Sequence, residues 1–174
     1  MDLDDDTLAT LRTLSDRQQI MDCLHRYTRG VDRLDREMLL SAFHADAIDD
    51  HGIFRGTAAE FADWAFDLHR TRHRGHQHYI TNHTCDLDGD TAHTETYFMM
   101  VGQNVDGTPV TLHGGRYVDR LERRAGRWAI AYRLSLVEWV GGITPPDLPA
   151  AKRVQGGVIA RDRSDVSYIR PLLP

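Results

Sequence analysis

Two periodicities divide the chain. Ile20, Cys23, Leu24, Tyr27 and Val31 recur at three- and four-residue spacing, the stripe of an amphipathic helix. Ser15-Asp-Arg-Gln18 has the form of a capping box and predicts the start of that helix. Gly30 is expected to loosen or end it. Asp35 can cap a short second helix carrying Met38, Leu39, Ala42 and Phe43. Residues 47–55 predict a short extended piece. A further capping box, Thr57-Ala-Ala-Glu60, opens a third helix through Phe61, Trp64, Ala65 and Leu68. Beyond it the period falls to two. Residues 76–87, 91–103, 108–123 and 127–140 predict long strands, joined at Asp88-Gly89, Asp106-Gly107 and Ala125-Gly126. Gly141-Gly142 and Pro145-Pro146 are expected to end the sheet.

Helices followed by a meander of antiparallel strands predict an α+β plan with helices on one sheet face. Strands this long twist, so the sheet must curl, and a curled sheet closed by about three helices encloses a pocket. The expected architecture is a cone-shaped domain over residues 1–145. A polar tail, 146–174, is expected to pack on the body or on a neighbouring subunit.

The bulk properties fit one domain with a substantial core. The chain has 174 residues, 41% hydrophobic and 27% charged. Its formal net charge is −5, so no electrostatic argument favours nucleic acid or an anionic membrane. No apolar run is long enough to span a bilayer. The acidic opening Met1-Asp-Leu-Asp-Asp-Asp6 is unlike a secretory leader. Cys23 and Cys85 have no metal-type spacing and are expected to be small buried hydrophobes. A cytoplasmic location follows as the expectation. The formal glycosylation sequon at Asn82-His-Thr84 would then be idle.

The chemistry concentrates in two stretches, Tyr27-Thr-Arg-Gly-Val-Asp32 and His76-Gln-His-Tyr-Ile-Thr-Asn-His83. Strand alternation puts residues 76, 78, 80 and 82 on one face, and Ile80 marks that face as the inner one. His78 and Asn82 would then line the pocket, while His83 would point out unless a bulge re-aims it. Phenol, carboxylate and imidazole aimed into one apolar pocket can move protons without metal or cofactor. Asp32 could instead be a turn residue between helices and Tyr27 a core tyrosine. Asp46, Asp49 and Asp50 are expected in a loop or at a strand edge. His69 and His73 lie four apart at a helix end and, with His76, His78 and His83, raise a metal reading. Helix-end histidines are commonly solvated, and no acidic or cysteine ligand falls at a matching spacing, so neither metal nor cofactor is expected. Dinucleotide, P-loop and nucleophile-elbow motifs are absent from the sequence.

Tyr27-x4-Asp32, Phe43-His-Ala-Asp46-Ala, the strand holding His78, and Tyr117-Val-Asp-Arg-Leu-Glu-Arg-Arg-Ala-Gly-Arg-Trp128 together resemble the nuclear transport factor 2-like superfamily. Within it the chain looks like the SnoaL-like group, which includes scytalone dehydratase, bile acid 7α-dehydratase and hexachlorocyclohexane dehydrochlorinase. The resemblance covers residues 15–140. It implies that Asp32 and His78 form a proton-abstracting dyad and that Tyr27 stands at a catalytic position. It further implies that Arg133 is an active-site arginine, with His113 near a second histidine. The fold also carries isomerases, cyclases and binding proteins.

The expected function is a cofactor-independent, dehydratase-type lyase on a small hydrophobic cyclic molecule. An isomerase or polyketide cyclase using the same base, or a non-catalytic binding module, stays open. Tyr27, with Arg133 or Asn82, would bind the developing oxyanion or leaving hydroxyl. Phe43, Trp64 and Phe66 would wall the pocket, with His113 and His83 as further polar contacts. Tyr97, Met99, Val101, Leu134 and Leu136 make the outer sheet face partly apolar, which predicts a homo-oligomer. A trimer follows by resemblance, a dimer otherwise.

Overall fold

The computed structural model describes residues 3–144 and 157–172. The chain runs α1 (Asp5–Asp32), α2 (Arg36–Leu40), β1 (Phe43–Asp50), β2 (Arg55–Thr57), α3 (Ala58–Arg72), β3 (His73–Asp88), β4 (Thr91–Asn104), β5 (Val110–Arg124) and β6 (Arg127–Ile143). Six strands form one sheet in the order β2-β1-β6-β5-β4-β3. The sheet curls without closing, and three helices fill its concave side, an α+β cone. The extended piece around residue 48 does not lie alone. As β1 it pairs antiparallel with β2 and parallel with β6, so the sheet is mixed rather than wholly antiparallel.

Helix α1 begins ten residues before the expected Ser15. Asp4 accepts from the Thr7 backbone N–H at 2.7 Å, and Asp5 and Asp6 favour the positive end of the helix dipole. Ser15 lies within the helix and its hydroxyl accepts from the Gln19 side chain instead. Only the second half of α1 enters the core, through Ile20, Cys23, Leu24, Tyr27 and Val31.

The helix ends at Asp32 in a Schellman arrangement. Asp35 N–H donates to Gly30 C=O and Leu34 N–H to Val31 C=O, with Leu34 at φ 50°. Gly30 therefore does not terminate the helix. A Cβ there would lie 2.6 Å from Leu39 N, so the glycine lets α2 cross close to α1. Asp35 caps α2 through Met38 N–H, and Thr57 with Glu60 forms the expected capping box of α3.

The hairpins fall where expected. Ala125 (φ 49°) and Gly126 (φ 78°) form a two-residue turn of the primed type that suits the strand twist. Gly141 and Gly142 do not end the sheet but pair with Leu112 and Thr111 inside β6. β3 carries an extra residue between the pairs Ile80↔Phe98 and His83↔Thr96. That bulge reverses the alternation, so His78 and Ile80 share the inner face with His83, Cys85 and Leu87. Cys23 and Cys85 are free and buried, as expected.

The boundary expected at residues 145–146 lies at the edge of the described residues. The described tail segment lies on the body. Tyr168 Oη donates to Asp35 at 2.8 Å, Arg29 reaches the Ser167 carbonyl at 3.2 Å, and Arg161 donates to the His69 carbonyl at 2.8 Å. No helix among the described residues is long and apolar enough to cross a membrane.

The close crossing of α1 and α2 makes Gly30 sensitive. Gly30→Ala should lower the unfolding free energy by about 1–3 kcal/mol, because the new methyl meets backbone rather than a movable side chain. Urea denaturation of the two proteins measures this.

Candidate active site

Asp32 is the last residue of α1, and its carboxylate faces the edge strand β3. It accepts the His78 backbone N–H at 3.1 and 3.0 Å and the His78 Nδ1–H at 2.7 Å. Two N–H donors, making three contacts, satisfy the carboxylate and hold the imidazole in one tautomer. With the proton on Nδ1, the His78 Nε2 lone pair is free to accept another. The two side chains are 14% and 9% exposed, enough for a ligand to reach and too little for bulk water to compete.

A cavity of about 320 Å³ opens beside them. Val31, Phe61, Trp64, Leu68, Phe98 and Tyr117 supply apolar wall. Tyr27, His51, His78 and His113 also line it. His78, Met100 and His113 lie in one row across β3, β4 and β5. The two histidines thus flank Met100, about 9.5 Å apart at the backbone.

Tyr27 is buried, and burial foremost pushes its phenol well above the usual range, so it stays protonated as a donor. Its hydroxyl lies 3.5 Å from His51 Nε2. The same nitrogen lies 2.8 Å from Asp49 Oδ1, in a contact too bent for a full hydrogen bond. Asp49 is fully buried and its two oxygens find no hydrogen-bond partner. This corrects its expected place at a loop or strand edge. A carboxylate buried this way needs a cation nearby, and Arg133, its neighbour across the β1–β6 pair, supplies one. Asp46 and Asp50 do lie outward, paired with Arg124 and Arg55. The alternation of Ala47, Asp49 and His51 was the available signal for this second Asp–His pair, since it aims all three to one side.

Several expected contacts fall elsewhere. Arg133 is fully buried beneath the cavity and does not line it. Its guanidinium grips Asp119 through two hydrogen bonds of 2.7 Å and lies between the rings of Tyr27 (3.9 Å) and Tyr117 (4.1 Å). Burial opposes its charge, but Asp119 outweighs that and raises the guanidinium pKa. Strand alternation did aim Arg133 inward; the packed tyrosines then cover it. Asn82 sits at the bulge and is exposed, because the extra residue turns it off the inner face. His83 is turned inward by the same bulge, but its Nδ1 bonds Thr96 Oγ1 at 2.8 Å and it does not line the cavity. Phe43 packs edge-on to Tyr27 in the core, and Phe66 is likewise buried away from the cavity. Trp64 and His113 line it as expected.

His69 and His73 are not solvated; each is 6% exposed, and both line the cavity. Their Nδ1 atoms lie 3.1 Å apart, and His69 stacks on His76 at 3.8 Å. Burial foremost, with the neighbouring charges, lowers the pKa of His69, His73 and His113 and takes His76 down to about 4.

With this geometry in hand, comparison with known proteins settles the family. A family model described as a SnoaL-like domain matches residues 12–134. The chain belongs to the SnoaL-like family. No curated protein matches this SnoaL-like chain. Among solved structures, the crystal structure of LinA is 23% identical, with a TM-score of 0.73 over 80% of this chain and 97% of that one. A hexachlorocyclohexane dehydrochlorinase, LinA-type3 from Novosphingobium barchaimii, is 24% identical over 77% and 94% of the two chains, with a TM-score of 0.71. A scytalone-dehydratase-like protein from Novosphingobium aromaticivorans is 18% identical over 80% and 99%, with a TM-score of 0.69. At these identities the structures share the fold, and the site must be argued from its own side chains.

The buried ion pair under the site sets a test. Arg133→Met leaves Asp119 charged and buried, and should cost about 3–5 kcal/mol of stability. Adding Asp119→Leu should restore part of that loss in chemical denaturation, since the stranded charge is then gone.

Proposed function

We propose that this SnoaL-like protein is a lyase that eliminates a leaving group from a small hydrophobic cyclic molecule, using side chains alone. The observation that carries this reading is the 2.7 Å contact between Asp32 and His78 at the wall of a cavity of about 320 Å³. His78 Nε2 takes a carbon-bound proton, and Asp32 stabilises the imidazolium that forms. As the carbon–hydrogen bond breaks, its electrons form the new double bond and the leaving group departs with its own pair. The leaving hydroxyl takes a proton or hydrogen bond from the Tyr27–His51 pair, which shares the cavity. The apolar wall keeps water from the carbanion-like transition state and selects flat, ring-shaped substrates.

Isomerisation or cyclisation by the same base differs only in what the electrons do next. Product analysis by mass separates them, since elimination alone loses a leaving group. A pure binding role is disfavoured by the free Nε2 of His78, which no such role requires.

His78→Ala and Asp32→Asn should each lower turnover on the order of 10²-fold or more, with the double variant far from additive. Tyr27→Phe should cost less, because it removes one hydroxyl and keeps the ring. Steady-state rates on folded variants, with a panel of hydroxylated steroids and polyketide-like phenols as substrates, measure this. Near-normal turnover in His78→Ala would remove His78 as the base.

The outer sheet face supports assembly. Tyr97, Met99 and Val101 alternate with the inward Phe98 and Met100, and Tyr97 and Trp139 are 40% and 49% exposed. We infer a homo-oligomer that covers this face, a trimer in preference to a dimer. Light scattering at micromolar concentration should give a multiple of the 19.8 kDa chain mass; a monomer mass would contradict it.

A further inference from the structure

We propose that His69, His73 and His76 form a binding site for a divalent transition-metal ion, zinc, nickel or cobalt, with an open coordination position toward the cavity. The site adjoins the dyad, since His76 Nε2 also lies 3.8 Å from Asp32 Oδ1, but the lyase reading does not depend on it.

Three observations carry this. One ring nitrogen from each of the three histidines lies within 4.8 Å of the others, and all three residues are buried. Around a tetrahedral zinc, ligand nitrogens at about 2.0–2.1 Å from the ion stand roughly 3.4 Å apart. The 3.1 Å between the His69 and His73 Nδ1 atoms is already close to that spacing. Two neutral imidazoles can hold that contact only with a single hydrogen between them, so one lone pair always faces another ring.

Second, His76 has an unused lone pair. Its Nε2 lies 3.1 Å from the Val31 carbonyl, which can only accept, so Nε2 carries the proton. Nδ1 is then a bare acceptor, and it is buried with no partner. A buried nitrogen left unpaired costs stability that a ligand would return.

Third, the backbone makes room. Gly102 on β4 faces the His73 ring, and a Cβ there would lie 2.6 Å from it. The i, i+4 spacing of His69 and His73 places both rings on one side of the chain where α3 passes into β3.

Imidazole nitrogen selects zinc, nickel, cobalt or copper over calcium and magnesium. Two features act against binding. The His69 and His76 rings stack at 3.8 Å rather than converge, so one ring must rotate. Arg161 also brings its charge to this corner, donating to the His69 carbonyl at 2.8 Å. His69 and His73 line the cavity, so the remaining coordination position would meet an oxygen of the cavity's occupant.

The test uses zinc and cobalt salts with the chelator-treated full chain. Titration calorimetry should give one zinc per chain with a dissociation constant of about 10⁻⁶ M or tighter. Cobalt should give the intense visible bands of a tetrahedral or five-coordinate site. His73→Ala should weaken zinc binding at least about 10²-fold, and Arg161→Gln, which touches no ligand ring, should tighten it. His78→Ala should leave the stoichiometry at one, which separates this site from the dyad. Circular dichroism checks that each variant folds. Absence of zinc binding in the wild-type chain would overturn the proposal. So would binding unchanged in His73→Ala, or binding lost only in His78→Ala.

Discussion

The clasp between Asp32 and the start of β3 is the contact on which the cone depends. A helix end and an edge strand both carry unsatisfied polar groups. Asp32 meets that need on the strand by accepting the His78 main-chain N–H at 3.1 and 3.0 Å. The His76 ring does the same for the helix, bonding the Val31 carbonyl at 3.1 Å. α1 is thereby held across the concave face, and the cavity opens beside the clasp. The carboxylate that fixes the architecture is also the one that fixes the tautomer of His78. The helix–strand contact and the imidazole tautomer thus rest on the same oxygen atoms.

Below the cavity the core holds charge rather than hydrocarbon alone. Arg133 and Asp119 are both fully buried and paired, with Tyr27 and Tyr117 on either face of the guanidinium. Such a pair returns little net stability, because desolvation consumes most of the attraction. What it does is fix geometry. The tyrosine rings that sandwich Arg133 are the rings that line the cavity, so the ion pair sets the cavity floor. Asp49 adds a second buried carboxylate, matched by His51 at 2.8 Å. The cavity wall therefore carries two Asp–His pairs whose environments differ. One carboxylate is satisfied by three N–H contacts; the other has no aligned hydrogen bond.

The local signals that proved reliable were those with a mechanism confined to a few residues. The capping box at Thr57 and Glu60, the Asp35 cap and the Ala125-Gly126 turn need only their own neighbours to form. The strand period was equally legible until the β3 bulge. There the alternation misled for Asn82, because an inserted residue leaves no trace in a polar stretch such as Thr81-Asn82. The start of α1 was missed because Ser15 matched the capping pattern. Asp4 is an N-cap residue too, but the segment between buries no side chain that would mark it as helix.

The sequence alone determined the class of structure and put Asp32 and His78 where they could meet. Helical stripes followed by hairpin-linked alternating strands can bury their apolar faces in few ways, and Asp32 and His78 each lie at the end or inner face of such an element. Tertiary structure decided which polar side chains reach the cavity. Arg133 points inward from its strand and His83 through the bulge, yet one is covered by two tyrosines and the other is spent on Thr96. The histidines at 69 and 73 reach the cavity from a helix end whose position suggested solvent. Periodicity states the direction of a side chain. Whether a neighbour from a distant element covers it depends on packing, and packing is set by contacts between residues far apart in the chain.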